Sequence, residues 1–294
     1  MILTVTLNAA LDITYTVPSL VPGAAHRVLG VSQRAGGKGI NVARVLHALG
    51  HPVLATGLAG GAVLDGLAVP HSFSPISNES RRTVTVVGDG EATLFNEPGP
   101  EVSAAEWQAF VDHFRSLARE ATVVVLSGSM PPGVPPDGYA HLVSIVDCKT
   151  IVDTSGVALE HAIAARPDVV KPNADELREA TGHSSPQAGA SALLRGGARA
   201  VVASLGPEGL LAVTEHESWR LAPPGALAGN PTGAGDACVA GIAAGLHTAA
   251  AWPAILREAV ALSAAAVLHP VAGGFDVNAY EQLRASLPLA RKAL

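Results

Sequence analysis

Cysteine, lysine and charge are all scarce in this chain of 294 residues. Its two cysteines, Cys148 and Cys238, lie far apart, which excludes a disulfide framework and a four-thiolate metal site and favours a reducing compartment. Charged residues make up 15% and hydrophobic ones 48%, a balance that argues against disorder and allows a sizeable core. The formal net charge is −6, with no basic stripe, which argues against a nucleic-acid partner. No run is long and apolar enough for a membrane span, and the opening "MILTVTLNAALD" lacks the cationic start of a signal peptide. A cytoplasmic protein is expected. Lysine occurs only at Lys38, Lys149, Lys171 and Lys292, so a lysine inside a glycine or proline motif stands out.

Short apolar runs alternate with helical patterns. Strands are expected at 1–7, 52–60, 122–128, 150–156, 168–173 and 200–206. Apolar spacing predicts helices over 39–50, with Gly50 as a stop, and 104–118, with Ser103 as a cap. Strands that are apolar throughout and separated by helices imply a mostly parallel sheet covered on both faces, with ligands outside the carboxyl ends of its strands. Segments 8–35 and 80–98 differ: they alternate and carry turn residues, as an antiparallel flap would, with a turn at Gly88-Asp89-Gly90. Nothing marks a linker or a repeat, so 1–294 reads as one domain.

Two glycine motifs carry chemistry. In "NPTGAGDACVAG" (230–241), Gly233, Ala234 and Gly235 lead into a helix beginning near Asp236. A helix N-terminus attracts phosphate, and a carboxylate there can take a proton from an acceptor hydroxyl. Taken alone, the motif also reads as an ordinary helix cap. In "AGGKGINVAR" (35–44), Gly36, Gly37 and Gly39 surround Lys38, and Asn41 follows in the first helical turn. The glycines let the backbone close on a ligand, and Lys38 and Asn41 can bind oxygens. The spacing matches neither a P-loop nor a dinucleotide fingerprint.

These motifs, with "LNAALD" (7–12), "NEPGP" (96–100), "LSGSMPPG" (126–133), "VDTSG" (152–156), "VKPNADEL" (170–177) and "SLGPEG" (204–209), occur in the order found in the PfkB, ribokinase-like carbohydrate kinases. The chain resembles that family over nearly its whole length, and within it the kinases of ketohexose phosphates. The resemblance implies a three-layer α/β sandwich, with a mostly parallel sheet between two layers of helices and a small antiparallel lid. It also implies an ATP- and Mg²⁺-dependent kinase. "NEPGP" leans toward phosphorylation of fructose 1-phosphate to fructose 1,6-bisphosphate. The opening strand and 230–250 lean toward tagatose 6-phosphate, and 6-phosphofructokinase activity is a further alternative within the family.

Residue by residue, the resemblance makes Asp236 the catalytic base, with Gly233, Ala234 and Gly235 as the anion hole. Asp12, Gly36, Gly37 and Asn41 fall with the groups on the sugar. Arg27, Lys38, Arg81 (with Arg82 adjoining) and Ser129 fall near its existing phosphate. Lys171, Asn173, Ser204, Gly206 and Gly209 fall on the nucleotide, and Glu176 on Mg²⁺ through water. A homodimer through the lid is a further expectation. Departures from the family pattern are Ala9, Pro231, Thr83 and the shortened stretch 60–75. A dinucleotide-dependent oxidoreductase is disfavoured because the first strand runs into "NAALD" rather than a glycine fingerprint. A sugar-phosphate sensor without turnover is the remaining alternative, and the shortened 60–75 stretch is what keeps it open.

Overall fold

The computed structural model describes residues 1–89, 91–225, 227, 229–269 and 274–293. The chain starts in β1 (Ile2–Thr6) and crosses into β2 (Ala10–Thr16) and β3 (Gly30–Gly36). It continues through α1 (Lys38–Ala48), β4 (Val53–Ala59), β5 (Ser74–Pro75), β6 (Arg81–Gly88), β7 (Glu91–Asn96) and α2 (Ala104–Ala118). The middle comprises β8 (Val123–Ser127), α3 (Gly138–Ser144), β9 (Lys149–Asp153), α4 (Gly156–Ala164), β10 (Val169–Val170), α5 (Ala174–Thr181), α6 (Pro186–Gly196) and β11 (Ala200–Ser204). The last part comprises β12 (Leu210–Thr214), β13 (Ser218–Leu221), α7 (Ala234–His247), α8 (Trp252–Leu268), α9 (Val277–Ser286) and β14 (Arg291–Lys292).

Among the described residues these strands form two sheets. The main sheet has the order β14-β13-β12-β11-β10-β9-β8-β1-β4-β5. It is parallel from β5 to β11 and antiparallel from β11 to β14. Successive residues of each strand feed opposite layers, as a pleat requires. Ile2, Val123, Val125 and Val202 pack against α1, α7 and α8, whereas Leu3, Val5, Val124 and Val201 pack against α2 to α6. That alternation makes a three-layer sandwich, as the resemblance implied.

Helix contacts follow from small residues. A Cβ on Gly241 of α7 would lie 2.7 Å from Ala259 Cα of α8, so the alanine- and glycine-rich 237–251 stretch lets two backbones touch. This fixes the axis of α7 and with it the position of Asp236. The expected helix caps hold in detail. Ser103 caps α2 in a reciprocal box with Glu106, and Gly50, at φ +76°, follows the end of α1.

The small sheet, order β3-β2-β6-β7, is the expected lid. Its outer two ladders are antiparallel and its central one, β2 on β6, is parallel. The parallel pairing arises because β2 and β6 are joined through the main sheet rather than by a hairpin. The expected turn at 88–90 joins β6 to β7, with Asp89 at φ +53°; Gly90 lies outside the described residues. The shortened stretch 60–75 forms tight turns at 61–66 instead of a long helix. Val63, from those turns, is buried against Ile40, Ala59 and Ala9, which closes the core there.

Candidate active site

A cleft of about 1180 Å³ opens at the carboxyl ends of the parallel strands and runs under the lid. Thr6, Ser127, Asp153 and Ser204 line it from strand ends, Asp12, Thr83 and Asn96 from the lid, and Gly233 to Asp236 from the head of α7. Residues paired across a sheet share a face, so Arg34, Asp12, Thr83 and Asn96 form one row across the four lid strands. The polar face of the lid therefore turns to the cleft.

Gly233, at φ +89°, takes the left-handed conformation that glycine tolerates and caps α7, which begins at Ala234 rather than at Asp236. Ala234 N–H donates to Pro231 O, so the amide groups facing the cleft at the first turn are those of Gly235 and Asp236, where helix geometry supplies no acceptor. Asp236 is buried, and its Oδ2 accepts a hydrogen bond from Asn41 Nδ2 at 2.9 Å. Burial, then the charge of Asp153, push its carboxyl up to about 6, against the pull of Asn41, Lys38 and Lys171. A carboxyl in that range is suited to general base work near neutral pH.

Asp153, at the end of β9, organises the floor. Lys171 Nζ lies 3.2 Å from Oδ1 and Lys38 Nζ 3.4 Å from Oδ2, while Ser127 Oγ donates to Oδ2 at 3.0 Å. Lys171 is a close charge partner of Oδ1 but makes no well-aligned hydrogen bond with it. Burial pushes the Asp153 carboxyl up, yet Lys171 and Lys38 hold it below its ordinary value. Burial likewise pulls Lys171 down, and Asp153 more than reverses that. Both groups are charged, and the two cations stand on either side of one carboxylate.

On the lid side, Asp12 sits in mid-strand on β2 rather than capping a turn. Burial pushes its carboxyl up, opposed by Arg34, Arg44 and Arg81. A Cβ on Gly36 would lie 2.1 Å from Asp12 Cγ, so only glycine leaves room for that side chain. Gly37, at φ +116°, lets the backbone turn into α1 beside Lys38. Arg81 donates to Glu97 O at 3.0 Å and lines the cleft, whereas Arg82, one residue on, points to the other face of β6. Asn8 donates to Ser129 Oγ at 3.1 Å and to Pro98 O at 3.0 Å, tying the strand-end loops together.

At the far end, Asn173 and Glu176 are the reciprocal cap of α5: Asn173 N donates to Glu176 Oε2 and Glu176 N to Asn173 Oδ1, each at 2.8 Å. Both still line the cleft, with Ser204, Gly206 and Gly209. A Cβ on Gly209 would lie 2.1 Å from Leu221 O, so β12 can start there only with glycine.

Of the residues given a role on the sugar, its phosphate, the nucleotide or the metal, all border this cleft except two. Gly36 lies under Asp12. Arg27 is exposed on the β2–β3 connection, remote from Asp12, because that connection is at the opposite tip of the hairpin (Thr16 pairs with Gly30, Asp12 with Arg34). Within one copy, Arg27 does not flank the cleft as expected. Three residues that the sequence left unassigned belong to the site: Asn8, Arg44 and Asp153. The quoted motifs contained all three, but nothing local distinguished them. Cys238 is fully buried in α7, its thiol pushed up to about 12 by burial, and is a core residue.

Residues 4–276 match the pfkB family carbohydrate kinase profile. The chain belongs to the pfkB family. It is therefore a carbohydrate kinase. Its fold superposes on phosphofructokinase-2 from Escherichia coli in complex with potassium, with a TM-score of 0.90 and 30% identity over 97% of this chain and 98% of that one. The same enzyme in complex with fructose-6-phosphate gives a TM-score of 0.88 at 30% identity, again over 97% and 98%. A possible 1-phosphofructokinase from Thermotoga maritima shares the fold at 24% identity, with a TM-score of 0.89 and full coverage of both chains. Among the described residues of this pfkB-family kinase, no helix is long and apolar enough to cross a membrane.

Proposed function

We propose that this kinase transfers the γ-phosphoryl group of ATP to a hydroxyl of a ketohexose monophosphate, with fructose 1-phosphate as the preferred acceptor and fructose 1,6-bisphosphate as product. One observation carries this reading: a buried Asp236 carboxyl near pKa 6 heads a helix inside a cleft that also holds Lys38 and Lys171. The acceptor hydroxyl gives its proton to Asp236 as its oxygen bonds the γ-phosphorus, and the bond from that phosphorus to the ADP oxygen breaks. The Gly235 and Asp236 amides face the charge on the transferring group, a positioning and charge-neutralising role of the kind phosphoryl transfer requires. Asp12, Gly37 and Asn41 take the sugar hydroxyls. Lys38, Arg81 and Ser129 take the existing phosphate, and Gly36 keeps Asp12 in place. Lys171, Asn173, Ser204, Gly206 and Gly209 take the nucleotide.

The donor set suits Mg²⁺. Glu176, whose cap uses only Oε2, offers a hard carboxylate oxygen on the cleft, and the described residues contain no cluster of three or more ligating side chains. That arrangement fits an ion held largely by water and phosphate oxygens rather than by a protein cage. When bound there, Mg²⁺ neutralises phosphate charge.

A second acceptor, fructose 6-phosphate, is favoured by the similarity to phosphofructokinase-2, whose complex contains that sugar. Coupled ADP detection with fructose 1-phosphate, fructose 6-phosphate and tagatose 6-phosphate separates the acceptors. Absence of turnover with all three removes the reading. The outer face of the lid carries Val31, Tyr15, Val86 and Phe95 in adjacent register, with Val31 57% and Phe95 55% exposed. That apolar face supports pairing of two copies through the lid, which sedimentation velocity tests directly.

A further inference from the structure

A chain of hydrogen bonds runs from the lid to the catalytic carboxylate. Arg44, on α1, donates through Nη2 to Ala35 O near the end of lid strand β3 and through Nη1 to Asn41 Oδ1 at 3.0 Å. Asn41 Nδ2 then donates to Asp236 Oδ2 at 2.9 Å. The order cation, amide, anion has only one low-energy arrangement. A flipped Asn41 would set its NH₂ against the guanidinium and its oxygen against the carboxylate, and both contacts would repel. Arg44 remains protonated at neutral pH, although burial and then Arg34 lower it to about 10.

We propose that Arg44 is a positioning residue: it locks the Asn41 amide with its NH₂ toward Asp236 and ties that lock to the end of lid strand β3. The inference rests on the reading of Asp236 as the base. It adds a component that acts through Asn41 without touching the substrate. The lock pulls the Asp236 carboxyl down against burial and the charge of Asp153, because donation to the charged carboxylate favours that form. The other groups facing Asp236 are Asp153 on β9, Lys38 on α1 and Lys171 after β10, and none of them bonds to Arg44. A hydrogen-bonded link to β3 also gives the lid a direct mechanical route to the base.

The test follows the Asp236 carboxyl by carbon NMR titration of the unliganded protein, alongside the acid limb of kcat. Arg44→Met keeps the apolar stem and removes both donations, and Arg44→Gln serves if the first variant does not fold. The expected result is an upward shift of the Asp236 titration by at least about half a unit and a matching shift of the acid limb. In an Asn41→Ala background, Arg44→Met should cause no further shift. A folded Arg44 variant whose Asp236 titrates with the wild type overturns the proposal, as does a full shift that persists when Asn41 is absent. The titration needs no substrate. Failure of the kinase reading would instead appear as wild-type protein inactive on every ketohexose phosphate, with the titration shift intact.

Discussion

Lys171 Nζ stands 3.2 Å from Asp153 Oδ1, and both side chains are almost wholly shielded from water. Each charge exists in the interior only because the other is there. Lys38, which reaches the same carboxylate from the opposite side and is 42% exposed, is the more expendable partner. The ends of the neighbouring strands β9 and β10, with Lys38 reaching in from α1, thus share one electrostatic device at the floor of the cleft.

Removing Lys171 leaves Asp153 short of its buried partner. Lys171→Met should destabilise the protein by about 3–5 kcal/mol, the range seen when one member of a buried pair is removed. Chemical denaturation at pH 7 measures it. A loss as small as that expected for Lys149→Met, whose pair with Asp168 is at the surface, would contradict the buried-pair account.

Asp236→Asn should leave substrate binding nearly intact and lower turnover at least about 10²-fold, the usual scale for a general base. Near-normal turnover would take Asp236 out of that role.

The same substitution should raise stability in a defined pH window. The folded-state pKa of Asp236 lies above its unfolded value, so the stability linked to its protonated form is present at low pH. That contribution is lost as pH rises through about 6. Asp236→Asn removes the buried charge, so its Tm should exceed wild type at pH 8 and lose that advantage by pH 4. Thermal scans across pH read this, and an unchanged difference would show that burial does not control the carboxyl. Wild-type kcat should correspondingly rise with an acid limb near pH 6.

Lys38→Ala should raise KM for the phosphorylated sugar more than KM for ATP. The reverse pattern in steady-state kinetics would assign the 36–39 loop to the nucleotide.

Gly36→Ala would place a methyl group 2.1 Å from Asp12 Cγ, so Asp12 must swing away from the cleft. Displacements of this size cost on the order of 10²-fold. A fall of that order in kcat/KM for the sugar, with the ATP dependence unchanged, is expected. An unaltered kcat/KM would mean that Asp12 does not hold the acceptor.

Local order carried much of this protein into view. Apolar strands spaced by helical patterns prescribed a covered parallel sheet, because a strand with no polar face can only be buried on both sides. Glycines before Lys38 and before Asp236 marked the two backbone turns at the cleft, since few other residues accept those conformations. The Asn173–Glu176 spacing was equally visible, although its first structural use is to cap α5. What local order did not contain was any distance between segments. That Asp153 of one strand end meets Lys38 and Lys171, that Arg44 reaches Ala35, and that Arg27 stays out on the far tip of the lid are consequences of sheet order and strand register. The parallel β2–β6 pairing has the same origin. Side-chain identity sets what a residue can do, but which charges share a low-dielectric pocket is set only when the strands and α7 come together.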